Sequence, residues 1–145
     1  MSYVAIRAAI KTKLDALVTA GTLGKVFNGE QNSQTVEISA FPAAELMRVQ
    51  TAPENFTNRE DMQWYVFHVN IYQRLEETNH AAVEVALDSV LDAVMQKFLD
   101  DVNLGGVLDG RLRPVESQTT VISWMGQPCR REQIVLRCPK IKAMP

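Results

Sequence analysis

Two histidines, two cysteines and one line of carboxylates are the residues in this chain whose types could do chemistry. A thiol nucleophile needs a base within reach and a third group to hold that base. Cys129 or Cys138 beside His68 or His80 would supply such a couple on paper. Neither thiol sits in a recognisable catalytic signature, and the periodicity puts His68 in the middle of a strand and His80 at the start of a helix. A histidine satisfied in a core or a contact is the expected role. The cysteines lie nine residues apart and the histidines twelve apart, which matches none of the short ligand spacings of structural zinc. Gly105, Gly106 and Gly110 precede a strand rather than a helix and lack the Lys and Ser or Thr of a phosphate-binding loop. The sequence thus predicts no catalytic, cofactor-binding or metal-ligating residue, and a chain that is not an enzyme.

The carboxylates Glu84, Asp88 and Asp92 recur at steps of four along one predicted helix. Each like-charge pair at that spacing disfavours the helix by ~0.2 to 0.5 kcal/mol. The line therefore stays hydrated, meets cations, or forms a negative lining that repels passing DNA phosphates. Arg111, Arg113, Arg130 and Arg131 are the candidate partners across a contact between subunits.

The elements that must position these groups follow from apolar spacing. Ile6, Ile10, Leu14, Leu17 and Val18 predict a helix from about Tyr3 to Thr19, stopped at Gly21. Val36 to Val49 reads as two short strands separated by Pro42, which lacks an N–H for the ladder. Gln50 to Asp61, with Pro53, Asn55 and Asn58, is polar and without period, and predicts a loop. From Gln63 to Arg74, Tyr65, Phe67, Val69 and Ile71 alternate onto a core side. Trp64, Val66, His68, Asn70 and Tyr72 fill the other side, which mixes large rings with polar groups in the manner of a contact surface. That second side is expected to lie uncovered in a single subunit, with Trp64, His68 and Tyr72 awaiting a neighbour.

A helix from about His80 to Asp101 is capped by Thr78 or Asn79 and buries Val83, Leu87, Val90, Leu91, Val94 and Phe98. Beside that face, Ala82, Ala86, Ser89 and Ala93 form a small-residue strip expected to lie against Ala5, Ala9 and Ala16 of the first helix. Arg111 to Trp124 and Arg131 to Lys142 predict a closing hairpin around Met125 to Pro128, with Pro139 marking the exit from the sheet. Cys129 and Cys138 are expected as reduced, buried thiols on neighbouring strands of that hairpin. The order helix, strands, long strand, helix, hairpin predicts a single α+β domain over residues 1 to 145, an antiparallel or mixed sheet with two helices packed on one face.

At 145 residues and a net charge of -2 the chain suits one globular domain with no bulk attraction for nucleic acid. Its charge is uneven. Residues 1 to 101 hold 8 Lys and Arg against 14 Asp and Glu, a balance of -6, and residues 102 to 145 hold 7 against 3, a balance of +4. Opposite charge in two regions of one chain suits a head-to-tail contact between identical copies. No secretion signal and no run of ~20 apolar residues is present, so a cytosolic origin and no membrane partner are expected.

The strand Trp64-Tyr65-Val66-Phe67-His68-Val69-Asn70-Ile71-Tyr72 and the helix core Leu87-Asp88-Ser89-Val90-Leu91-Asp92 resemble the tail terminator, or tail completion, proteins of long-tailed bacteriophages. Ile6-Arg7-Ala8-Ala9-Ile10, Phe41-Pro42-Ala43-Ala44-Glu45-Leu46 and Glu132-Gln133-Ile134-Val135-Leu136-Arg137 extend the resemblance over most of the chain. It implies a homo-oligomeric ring, usually a hexamer, that caps the tail tube, halts its polymerisation and presents a surface to the head connector. DNA would pass through its lumen without specific binding. It implies no cofactor, a place in the tail or neck of the virion, and assembly in the host cytoplasm. Within that picture Asn55, Phe56, Asn58 and Arg59 are candidates for contact with tube or connector. A head completion ring and a small oligomeric enzyme are the alternatives.

Overall fold

The computed structural model describes residues 2–27, 41–55, 60–75, 80–124 and 126–143. Helix α1 (Ser2–Thr19) leads through a turn into β1 (Lys25–Phe27). Then come β2 (Ala43–Asn55), β3 (Glu60–Arg74), α2 (His80–Leu99), β4 (Arg113–Trp124) and β5 (Gln127–Ala143). The strands form one mixed sheet in the order β1-β2-β3-β5-β4. Only β1 and β2 run parallel as neighbours. The α+β class expected from the order of elements is the one observed.

Both helices lie on the same side of the sheet because both carry one apolar stripe. Ile6, Ile10, Leu14 and Leu17 of α1, with Leu87, Val90, Val94 and Phe98 of α2, share a core with Tyr65, Phe67, Val69 and Ile71 of β3. Leu46, Ile134, Leu136 and Cys138 complete it from β2 and β5. Tyr3 packs edge-on against Tyr65 with centroids 4.6 Å apart, and Lys13 Nζ bridges 2.7 Å to Asp101 just beyond α2. The small-residue strip does not mediate this packing. Ala82, Ala86 and Ser89 are exposed, as is Ala5, since the larger side chains on the adjacent face give more burial against the sheet.

Three boundaries differ from the sequence expectation. Gln50 to Asn55 and Glu60 to Asp61 are not loop but the outer part of the β2–β3 ladder, which runs to Asn55 opposite Asp61. Pro53 pairs with Gln63 where β2 has no neighbour on its other side among the described residues, the edge position at which a sheet tolerates proline. Pro139 does not end β5. It pairs with Trp64 beyond the last β4 partner, Arg137, and the strand continues to Ala143. Its carbonyl accepts from Asp109 N at 3.2 Å, and Ile141 N donates to Asp109 Oδ2 at 2.7 Å, so a side turn occupies that edge.

Cys129 and Cys138 both belong to β5, an odd number of residues apart, and so sit on opposite faces of one strand rather than facing across a hairpin. Both are free and buried. Pro42 follows Phe41 through a cis peptide bond and immediately precedes β2. The segment expected as strand from Val36, and the caps Thr78 and Asn79, lie outside the described residues.

Candidate functional site

The face of the sheet without helices is where sequence and structure diverge most. Register places Ala43, Glu45 and Met47 of β2 there, with Trp64, Val66, His68, Asn70 and Tyr72 of β3. Arg131, Gln133, Val135 and Arg137 of β5 lie beside them, and Thr120, Ile122 and Trp124 of β4 complete the row.

One end of this face is sealed within the chain. The Tyr72 ring stacks on Trp124, centroids 4.0 Å apart and planes 4° from parallel. Phe27 and Phe41 meet the same indole edge-on at 5.3 and 6.0 Å. Ala43 and Cys129 fill the remaining space, and Ile122 packs against the group. The expectation that Tyr72 waits uncovered for a neighbour is thereby corrected. A ring can stack on it because Gly126, with φ 79°, turns the β4–β5 hairpin tightly and holds Trp124 opposite Gln127.

Next to the rings lies a buried polar network. Tyr72 donates its hydroxyl to Glu45 Oε1 at 3.0 Å, and Asn70 Nδ2 donates to the same oxygen at 3.3 Å. Gln133 Nε2 donates to Asn70 Oδ1 at 3.0 Å, carrying the chain of bonds across three strands. Glu45 is 1% exposed, and its second oxygen has no hydrogen-bond partner. Trp124 Nε1 and Arg131 Nε are likewise buried without partners. Burial pushes the Tyr72 hydroxyl well above its usual range, Glu45 adds to the rise and Arg131 opposes it. Burial, with Arg131 second, holds His68 below the usual imidazole value. Burial raises the Cys129 thiol to about 11 and the Cys138 thiol to about 12, so neither is poised as a thiolate nucleophile.

Toward the other end the face opens in part, with Val66 still buried. His68, Trp64, Gln133 and Val135 are half-buried and Arg137 is exposed. Trp64, His68 and Tyr72 therefore do share one side of β3, as expected, and Arg131, expected as a partner of the α2 carboxylates, lies beside Tyr72 on it instead; only the outer part of this face is accessible. Glu84 and Arg130 meet on the helix side instead, Oε1 to Nη2 at 2.9 Å, inside a single subunit. Asp88 and Asp92 are exposed on α2 and Arg111 on the segment before β4. Arg113 opens β4. Asn55 closes β2. Phe56, Asn58 and Arg59 fall outside the described residues.

Glu45, Gln133 and Trp124 are the functional candidates that spacing missed. The one signal in the sequence is Glu45 itself, a carboxylate inside the apolar run Phe41 to Leu46. Among the described residues no group of three or more His, Cys, Asp or Glu is placed to hold a metal ion, and no helix is long and apolar enough to cross a membrane.

No protein-family model and no curated protein matches this sequence. A solved structure of a protein that carries only a serial designation is similar over 100% of this chain and 99% of its own, at 21% identity and a TM-score of 0.52. At that identity the likeness shows a shared fold.

Proposed function

We propose that this chain is a structural subunit of a bacteriophage tail, forming a homohexameric ring that caps the tail tube and ends its polymerisation. The same ring offers the surface on which the head connector seats. The reading takes its biological content from the resemblance of Trp64 to Tyr72, the α2 core and the closing strand to tail terminator proteins.

One structural observation carries it. Helices cover one face of the sheet, and the other is left to side chains that are sealed near Trp124 and accessible at Trp64, His68, Val135 and Arg137. A half-apolar, half-polar band of that kind is matched by a protein neighbour better than by water. The outer part of the β2–β3 hairpin supports an axial contact. From Tyr65, the last core position, the ladder continues to Glu60 and Asn55, roughly 17 Å at ~3.3 Å per residue. In this reading the ring has no cofactor and no active site, DNA passes through its lumen without specific contacts, and the protein resides in the tail or neck of the virion.

Negative-stain microscopy of the purified protein, alone and mixed with tail tubes, is the test. Rings seated at one end of the tubes are expected. Rings with no affinity for tubes would transfer the protein to a head connector, and dispersed molecules in both samples would remove the assembly reading.

A further inference from the structure

The edges of the sheet are unequal. On the β5 side beyond Arg137, the turn at Val107 to Asp109 closes the edge through Asp109 N donating to Pro139 O, Ile141 N donating to Asp109 Oδ2, and Lys140 Nζ donating to Val107 O at 2.9 Å. Two stretches have no such cover among the described residues. β4 has a strand neighbour only in β5. β2 pairs with β1 only over Ala43 to Glu45, leaving Leu46 to Asn55 with β3 as sole strand partner. Val121, at mid β4, is 62% exposed, and no charged residue lies between Gln118 and Trp124 to blunt that edge.

We infer that β4 of one copy pairs antiparallel with Leu46 to Asn55 of β2 in a second copy, so that neighbouring subunits share one continuous sheet. This deepens the ring reading above and rests on it for closure. Three properties of the two edges agree. Their lengths match, since with the extra residue of the Arg48–Gln50 bulge looped out, Val115 to Ser123 covers the free part of β2 when Val121 lies opposite Arg48. Their directions match, because β4 and β2 run oppositely within the sheet, and a rotation about an axis near the strand direction brings them together antiparallel. Their faces match, because Val121 and Arg48 both lie on the helix side.

The geometry of closure follows. Val121 stands level with Gln73 on β3 through Arg130, and Arg48 stands level with Phe67, a stagger of six residues per copy. At ~3.3 Å per residue that is ~20 Å along the strands, set against about 19 Å across four strands at ~4.8 Å. The strands would tilt by about 45° to the ring axis, at the upper end of the 35–45° found in closed sheets.

The test uses the full chain with Arg48→Cys and Val121→Cys introduced together and separately. Within one copy these positions are separated by β3 and β5, ~14 Å across three strand spacings, too far for a disulfide. Oxidation of the double variant is expected to give a denaturant-resistant ladder up to the size of the ring, while each single variant stays monomeric on the gel. In parallel, Thr119→Lys with Val121→Lys should raise the protein concentration for half-assembly at least tenfold while circular dichroism is unchanged. Intact rings from the lysine variant with no ladder from the cysteine pair would overturn the shared sheet and leave the ring reading standing. A dimer cross-linked through Val121→Cys alone would overturn it in favour of β4 pairing with β4. A full ladder from rings that ignore tail tubes would uphold the shared sheet and remove the terminator role.

Discussion

The two faces of the sheet bury comparable rings by different means. Under the helices, Phe67, Phe98, Ile10, Leu136 and their neighbours form an apolar core. On the bare face, Phe27, Tyr72 and Trp124 are buried beside Glu45 and Asn70, and several polar atoms are left unmatched. The first face is a place where stability is stored. The second gives up part of its stability to unpaired groups, and retains them where four strands must keep one register. The contrast shows how one sheet combines an apolar interior with a face that mixes buried rings and buried polar groups.

Four experiments break or sharpen that contrast. Phe67→Ala removes a fully buried ring from the helix side and should cost about 3 to 5 kcal/mol in urea unfolding. Trp124→Ala should cost less than Phe67→Ala, about 3 kcal/mol, since it also removes a buried indole N–H that has no partner. Equal or greater loss at Trp124 would erase the difference between the faces. Glu45→Ala leaves the Tyr72 hydroxyl and an Asn70 N–H without their acceptor and should cost roughly 1 to 3 kcal/mol. A more stable variant would show that the unmatched Oε2 outweighs both bonds. The Glu84–Arg130 pair, with Glu84 about half exposed, should show a double-mutant coupling of only about 0.2 to 1 kcal/mol that fades with salt.

The bare face also predicts a pH response. His68 has a folded pKa below its unfolded value near 6.5, so the unfolded chain takes up the proton first. Its contribution is fully present above about pH 6.5 and is lost as pH falls from there toward the lowered folded pKa. His68→Gln should flatten the stability profile over that window, and an unchanged slope would assign the response elsewhere.

Much of the helix side was legible in the sequence because its pattern is local. Ile6, Ile10 and Leu14 repeat at helical steps, Val83, Leu87, Val90, Val94 and Phe98 do the same, and Tyr65 to Ile71 alternate at strand steps. All are buried. The bare face was not legible, because Tyr72 is covered by Trp124 from a strand far away in the chain, and no periodicity encodes which distant ring stacks on which. The outer ladder around Pro53 was missed for another reason. Backbone bonds to β3 hold it, and such bonds leave no alternating pattern of side chains. Likewise the step-of-four carboxylates gave the right helix and Arg130 as a partner for Glu84, but the pair closes within one subunit rather than across a contact.

Under the shared-sheet proposal, the turn that clamps β5 through Asp109 bears on how copies would add. A strand arriving along the β4 side meets backbone groups already engaged from Pro139 to Ile141, so it has nowhere to slide past its stopping point. Replacing Asp109 with Ala would free the Ile141 amide and, under that proposal, would let an incoming strand pair out of register and run on as an open-ended fibre.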